Sequence, residues 1–384
     1  MNGATRIPRL PRPSRISGHI AARLGAPVID RQLVGEVLER YGLEPTSAIR
    51  NLRFGRRNRN IAVTTGRGRV VVKAYRPQWT IATVRYVHSI QLRLDELGFS
   101  ASRPLDTTQG QTWTTVAGDV FAVFDLIPGV NYSMNFLLRN DRLRLTTIAG
   151  RTLAHLHRTL DGFEPQGEHH LGFASPDGPR RRDLAWHEAK LRELTIRSRD
   201  LADPEAVALA ERLIRRSGPV VEDIHLLDRD LSDASFRRLI IHGDYGIHNL
   251  LFQRGGRATP VDFELSRLDW RLNDLISAMV KHRYTGGHYD FESMRTFMEA
   301  YSAEFPLSED ERLRFAEAWR LYKLQQAVQY WNSYFETDGP VRKLSSAVDS
   351  IEQADWVVEH WEAIAALGGA GEAATGMARA PRGG

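Results

Sequence analysis

The sequence predicts an α+β fold in two lobes, a small β-rich lobe followed by a larger, mainly helical one. Three observations carry this reading. β-Branched runs around glycine turns are confined to residues 61–124. Apolar residues at helical spacing dominate from about residue 137 onward. Between the two lies Asp125-Leu126-Ile127-Pro128-Gly129, where Pro and Gly interrupt a strand and suggest a crossover between lobes. The expected division is a basic tail at 1–27, a β-rich lobe at 28–127, a helical lobe at 128–367 and a Gly/Ala-rich disordered tail at 368–384.

The first element is a helix within 28–42, with Leu33, Val34, Val37 and Leu38 at helical spacing and Gly42 as its stop. The run Ile61-Ala62-Val63-Thr64-Thr65, the turn Gly66-Arg67-Gly68 and the run Arg69 to Tyr75 predict a β-hairpin. Lys73 sits inside its second strand. A lysine there either meets an anion, such as nucleotide phosphates, or snorkels from a strand edge to water. Residues 80–97 predict a helix closed by Gly98. A second strand pair follows at 112–116 and 120–124.

In the second lobe, helices are predicted at 141–157, 183–198 and 203–216. An acid-rich passage follows at 220–234. Glu222, Asp223 and Asp228 are candidates there to hold a cationic ligand. Further helices are expected around 275–280 and over 291–305, 308–335 and 345–367. Ser308 with Glu311 has the form of a capping box. The aromatic stripe Tyr322, Tyr330, Trp331, Tyr334 and Phe335 is either core or pocket lining.

Bulk properties narrow the function classes. The 384 residues are 42% hydrophobic and 9% aromatic, a globular composition. No apolar run reaches the length of a membrane span. The arginine- and proline-bearing first fifteen residues lead into no apolar segment, so they do not read as a secretory signal. Cysteine is absent, which excludes disulfides and thiolate chemistry and fits a cytoplasmic home. The net charge of +5 is spread over interspersed arginines and acids, which argues against nucleic acid as partner and leaves a surplus that suits anionic phosphates.

The chemistry concentrates in Leu239-Ile240-Ile241-His242-Gly243-Asp244-Tyr245-Gly246-Ile247-His248-Asn249-Leu250-Leu251-Phe252. An apolar run enters a polar loop and another leaves it. A second acid, Asp262, lies in Val261-Asp262-Phe263-Glu264. A carboxylate, an amide and a further carboxylate are what phosphoryl transfer to an alcohol requires: a base for the hydroxyl and oxygen ligands for magnesium. Asp244 is the candidate base. Asn249 and Asp262 are candidate metal ligands, with Glu264 as a further one, direct or through water. An extended backbone would put Asp262 and Glu264 on one side. His242 is a candidate loop brace, and His248 either touches a ligand or faces solvent. Asp274 either anchors the loop amides or caps a helix. His155 and His157 lack a third ligand in register, which argues against a metal role.

These residues resemble the aminoglycoside phosphotransferase and choline kinase superfamily, small-molecule kinases. His242-Gly243-Asp244 with Asn249 is similar to its catalytic loop, and Asp262-Phe263-Glu264 to its metal segment. Gly55-Arg56-Arg57-Asn58-Arg59-Asn60 resembles the Gly-x-x-Asn-x-Asn loop of the homoserine kinase branch, and Val70-Val71-Val72-Lys73 its ATP-binding strand. Residues 125–129 resemble the hinge whose backbone holds adenine. The resemblance implies a protein-kinase-like bilobal fold. It also implies an ATP- and Mg2+-dependent transfer to a small-molecule hydroxyl, on an amino alcohol, amino sugar, aminoglycoside or homoserine-like acceptor. Gly55, Asn58, Lys73, Asp125 and Ile127 would then bind nucleotide. The family usually pairs the strand lysine with a glutamate on the following helix, and residues 77–92 hold no acid. Either Asp95 or Glu96 supplies the partner or the pair is missing. The alternatives are thus a nucleotide-binding pseudokinase without transfer activity, or a protein kinase-like enzyme.

Overall fold

The computed structural model describes residues 31–46, 50–51, 59–76, 79–133, 137–232, 234–282, 288–336 and 339–369. The basic tail at 1–27 and nearly all of the 368–384 tail lie outside the described residues, as do Gly55 and Asn58.

Helix α1 (Arg31–Arg40) buries Val34, Val37 and Leu38. Strands β1 (Arg50–Asn51), β2 (Arg59–Thr65), β3 (Gly68–Ala74), β4 (Thr114–Val116) and β5 (Asp119–Asp125) form one antiparallel sheet in the order β1-β2-β3-β5-β4. Val72 lies between Ile61 and Val123 in register. On β3 the pleat buries Val70, Val72 and Ala74 in a core shared with α1. The same alternation turns Val71 and Lys73 to the opposite face. That face meets α2 (Ile81–Glu96), whose start is capped by Thr80 Oγ1 accepting from the Thr83 amide at 3.2 Å. Helix α2 also buries Val87, Ile90 and Leu94 in the core of the helical lobe, so it ties the two lobes together.

After β5 the chain crosses between lobes. Val130 and Phe252 exchange both backbone hydrogen bonds at 2.9 Å. Gly129 passes so close to the second lobe that a Cβ there would lie 2.7 Å from the Leu251 Cβ, so only glycine fits.

The second lobe contains α3 (Arg139–Thr159), α4 (Leu184–Arg197), α5 (Pro204–Asp230), β6 (Arg238–Ile241), β7 (Leu250–Phe252), β8 (Ala258–Pro260), β9 (Arg267–Trp270) and α6 (Leu272–Val280). Helices α7 (Phe291–Ser302), α8 (Glu309–Leu313), α9 (Phe315–Glu336), α10 (Arg342–Glu359) and α11 (Trp361–Leu367) complete it. Strands β6 and β9 pair, as do β7 and β8, both antiparallel. One apolar core runs through the lobe, with Trp319, Trp331, Tyr245 and Tyr301 among its fully enclosed side chains.

Three sequence expectations are corrected. The helix expected to end at 216 continues through Gly218-Pro219 to Asp230. An interior proline costs about 3 kcal/mol. The buried stripe Ala206, Ala210, Leu213, Val220, Ile224, Leu227 keeps its helical spacing across it. Burying the last three side chains at about 1.5–3 kcal/mol each outweighs that cost. The single helix expected over 308–335 is broken at Arg314, and that over 345–367 begins at Arg342 and is broken at His360. The capping box does form: Ser308 Oγ accepts from the Glu311 amide while Glu311 Oε2 accepts from the Ser308 amide at 2.8 Å. Glu311 has a second task the sequence did not suggest, as the buried partner of Arg271, whose Nε lies 2.7 Å away.

Candidate active site

The polar loop hangs between two buried strands. β6 delivers Leu239, Ile240 and Ile241 into the core, and Leu250 does the same for β7. At the loop entrance Gly243 has φ 82°, and a Cβ there would lie 2.1 Å from the Leu265 carbonyl. Both the backbone angle and the space demand glycine. The amides of His242 and Gly243 donate to Asp274 Oδ2 and Oδ1 at 2.7 and 2.8 Å. His157 Nε2 donates to Oδ2 at 3.1 Å, while the Tyr301 hydroxyl donates to His157 Nδ1 at 2.9 Å. Asp274 is fully buried, which works against its charge. These donors nonetheless bring its carboxyl below the usual range. It therefore anchors the loop amides rather than capping a helix. His157 takes a structural part here, not a metal-binding one.

His242 turns its side chain back on the loop. Nε2 donates to the Val261 carbonyl at 3.0 Å, and Nδ1 accepts from the Asp244 amide at 3.4 Å. Asn131, just past the hinge, donates to the carbonyls of His248 and Leu250 at 2.7 and 3.1 Å. The loop is thus clamped at both ends, which fixes Asp244. Lys281, the residue that closes α6, reaches Asp244 Oδ1 with Nζ at 3.2 Å. Burial works against the Lys281 ammonium, but the Asp244 carboxylate holds its pKa above the ordinary lysine value. His248 Nε2 is 3.7 Å from Asp244 Oδ2 and 43% exposed, a rim position.

The β7–β8 hairpin brings Asn249 and Asp262 together. Leu250 pairs with Pro260, so Asn249 lies opposite Val261, whose amide donates to the Asn249 carbonyl at 2.9 Å. Asn249 Nδ2 donates to the Asp244 carbonyl at 2.9 Å, which leaves Oδ1 as the acceptor end of the amide. Asp262 has left-handed φ and ψ of 67° and 58°. A non-glycine residue held there is a strained position of the kind that clusters at functional sites.

That kink overturns one expectation. Residues 263–265 form a 3-10 turn, so Asp262 and Glu264 are not alternate residues of a strand. Glu264 is buried and forms its ion pair directly with Lys73 Nζ, while Asp262 Oδ1 lies 3.6 Å from the same nitrogen. Glu264 is thus the counter-ion of the strand lysine rather than a free metal ligand. The partner sought on the helix comes from the opposite lobe. Asp95 pairs instead with Arg103 and Glu96 with Arg93. Burial opposes the Lys73 ammonium, but Glu264 and Asp262 hold its pKa well above the usual lysine range. Asp262 keeps 38% of its side chain exposed.

Asp125 ends β5, half-exposed, 3.7 Å from Arg67. Ile127 is half-buried in the crossover segment. Glu222, Asp223 and Asp228 sit on α5 away from the loop. Asp223 pairs with Arg320 at 2.6 Å and Asp228 faces Arg180 at 3.6 Å. The aromatic stripe divides. Trp331 is core, donating from Nε1 to Ser198 Oγ at 2.9 Å, whereas Tyr322 and Tyr330 line a cleft. That cleft, about 590 Å³, opens at Gly243 and Asp244 and extends between the segment at 170–187 and helices α9 and α10. The sequence reading missed Lys281 and Asn131. Neither belongs to a motif, and a lysine ending an apolar helix was the only sign of Lys281.

Among the described residues, no helix is long and apolar enough to cross a membrane. The profile of the phosphotransferase enzyme family matches residues 48–328. The chain is similar to the homoserine kinase of Phenylobacterium zucineum (strain HLK1), at 26% identity over 283 residues that cover 73% of this chain and 78% of that protein. It is also similar to the homoserine kinase of Caulobacter vibrioides (strain NA1000 / CB15N), at 23% identity, with 72% and 78% covered. Among solved structures it is similar to the microcompartment-associated aminopropanol kinase, with TM-score 0.59 and 14% identity over 88% of this chain and 99% of that one. A second is the amicoumacin kinase hAmiN in complex with AMP-PNP, Ca2+ and Ami, with TM-score 0.58 and 14% identity over 85% and 93%. These two likenesses concern the fold, the two-lobed kinase-like architecture derived above. With almost three quarters of its length matched by the family profile, the chain belongs to the phosphotransferase enzyme family.

Proposed function

We propose that this chain is a kinase that moves the γ-phosphate of ATP, with Mg2+, to a hydroxyl of a small molecule, and that Asp244 is its base. The observation that carries this is the clamped loop: Asp244, Asn249 and Asp262 hang from one hairpin and its flanking loop, opposite the paired Lys73. The homoserine kinases and the AMP-PNP complex among its relatives support the same reading.

The donor set suits magnesium. Asn249 offers an amide oxygen and Asp262 a part-exposed carboxylate. Such an ion takes its remaining ligands from phosphate oxygens and water. Magnesium bound there would neutralise charge on the phosphates. Lys73, kept charged by Glu264, would hold phosphate oxygens from the other lobe. Asp244 would accept the acceptor's proton and aim its oxygen in line, a contribution of roughly 10²–10⁴-fold. The backbone of residues 125–129 would hold the adenine. The missing helix glutamate that raised the pseudokinase alternative is answered by Glu264.

The test is ADP release against a panel of hydroxyl compounds, comparing the full chain with Asp244→Asn. Acceptor-dependent ADP release by the wild type and its loss in a folded variant are the expected results. Equal turnover in the variant would refute the base assignment.

A further inference from the structure

Resting on the kinase reading, the cleft beside Asp244 narrows the acceptor. We infer that the acceptor is an anionic alcohol, a hydroxyl compound that also carries a carboxylate or phosphate, and not a cationic amino alcohol or aminoglycoside. Six cationic side chains line the cleft among the described residues: Arg76, Arg180, Arg182, Arg267, Arg342 and Lys343. Asp244, Asp269 and Glu336 are the acids of that lining, and Asp228 stands 3.6 Å from Arg180. Two of these acids are committed, Asp269 to Arg267 Nε at 2.9 Å and Asp244 to Lys281. A polycationic acceptor entering this space would meet like charge over most of the wall. An anion would meet a surplus of guanidinium groups, which suit the planar or tripodal oxygens of carboxylate and phosphate.

Two of these guanidinium groups are held in place by aromatic rings. Arg180 is nearly buried, its guanidinium stacked on Trp270 with the carbon 3.9 Å from the ring centre and its Nη1 3.6 Å from Asp228 Oδ1. Arg182 lies 4.6 Å over the Trp186 ring. Such stacking fixes a guanidinium while leaving its edge available. Gln325, Gln326 and Gln329 of α9 add amides suited to further hydroxyls. At about 590 Å³ the cleft accommodates more than a four-carbon hydroxy acid.

The test separates binding from transfer. The full chain, its nucleotide site filled with saturating Mg-AMP-PNP, is titrated at constant ionic strength with D-glucose, D-gluconate, D-glucose 6-phosphate, L-homoserine, ethanolamine and kanamycin. Calorimetry or thermal shift gives the affinities. Either anion should bind at least tenfold tighter than glucose, and gluconate against glucose 6-phosphate tells carboxylate from phosphate. Arg182→Gln should reduce that preference to below threefold. Arg342→Gln, at an exposed position where folding is not at stake, should lower it severalfold. Equal or tighter binding of ethanolamine or kanamycin, or an anion preference untouched in both variants, overturns the proposal. ADP release is measured separately. Anion binding without ADP release would sink the kinase reading alone, whereas ADP release with only cationic acceptors would sink this one.

Discussion

Lys281 Nζ stands 3.2 Å from Asp244 Oδ1, so the candidate base carries a cation supplied by the end of α6 rather than by its own loop. The ammonium fixes the direction of the carboxylate. Lys281→Met should lower kcat by roughly a hundredfold to a thousandfold, the range for one lost electrostatic contact at a reacting centre. KM for ATP should change less, because Lys73 is untouched. Lys281→Arg should recover part of the loss. Steady-state kinetics at fixed pH decide it, and wild-type kcat in the Met variant would show that the contact is incidental.

Lys73 and Glu264 form a buried pair across the lobe boundary, and this makes a double-mutant cycle informative. Removing one partner of such a pair leaves an uncompensated buried charge, at a cost of about 3–5 kcal/mol. Lys73→Met and Glu264→Gln should each destabilise the fold in urea and weaken nucleotide binding. The double variant should be more stable than the sum of the two losses implies, by more than about 1 kcal/mol. Strict additivity would mean that Asp262, 3.6 Å from Lys73, carries the attraction by itself.

Legibility in the sequence followed the range of the interactions. Periodicity located the strands and most helices because one residue's neighbours decide it: Val70, Val72 and Ala74 against Val71 and Lys73 is a pattern of period two. The motif around Asp244 was readable because a loop between buried strands and a hairpin fixes Asn249 relative to it over few residues. What failed depends on long-range packing. Pro219 looks like a helix end until the buried faces on both sides of it are seen to share one wall. The left-handed turn at Asp262 carries no sequence mark, so Glu264 looked like a second ligand. Lys281 is brought to Asp244 by the tertiary fold, and the arginines of the cleft come from segments as far apart as residues 76 and 342.

Asp274 offers a check on the loop itself. Its two carboxylate oxygens hold the amides of His242 and Gly243, and an asparagine can accept with only one. Asp274→Asn should place an amide donor against a backbone N–H, leaving at least one buried group unsatisfied at about 1–3 kcal/mol. Hydrogen exchange at the loop amides should accelerate and kcat should fall, with little change in ATP binding. Unaltered exchange at those two amides would contradict the anchoring role.

Four buried histidines set the acid limit of the fold. Burial pushes His88 and His169 down to about 3, and His187 and His282 down to about 4. The charge of Lys73 adds to the effect at His88, and that of His170 at His169. In the unfolded chain each would titrate near about 6.5. Above that pH all four are neutral in both states and contribute no pH dependence. Between about 6.5 and 4 the unfolded chain binds protons that the folded chain refuses, so stability falls as pH falls. The slope is about 1.4 kcal/mol per pH unit for each histidine. Together they approach about 5 kcal/mol per unit, enough to consume a typical stability of about 5–15 kcal/mol within one to three units. Urea unfolding followed by circular dichroism should therefore show stability level from pH 8 to 7 and falling steeply below 6. His282 is the cleanest probe, since its Nδ1 makes no hydrogen bond among the described residues and its ring lies beside Phe297. His282→Leu should lower the slope by one proton's worth and move the acid midpoint to lower pH. A stability that stays level between pH 7 and 5 in the parent protein would mean that these rings are not held neutral by the fold.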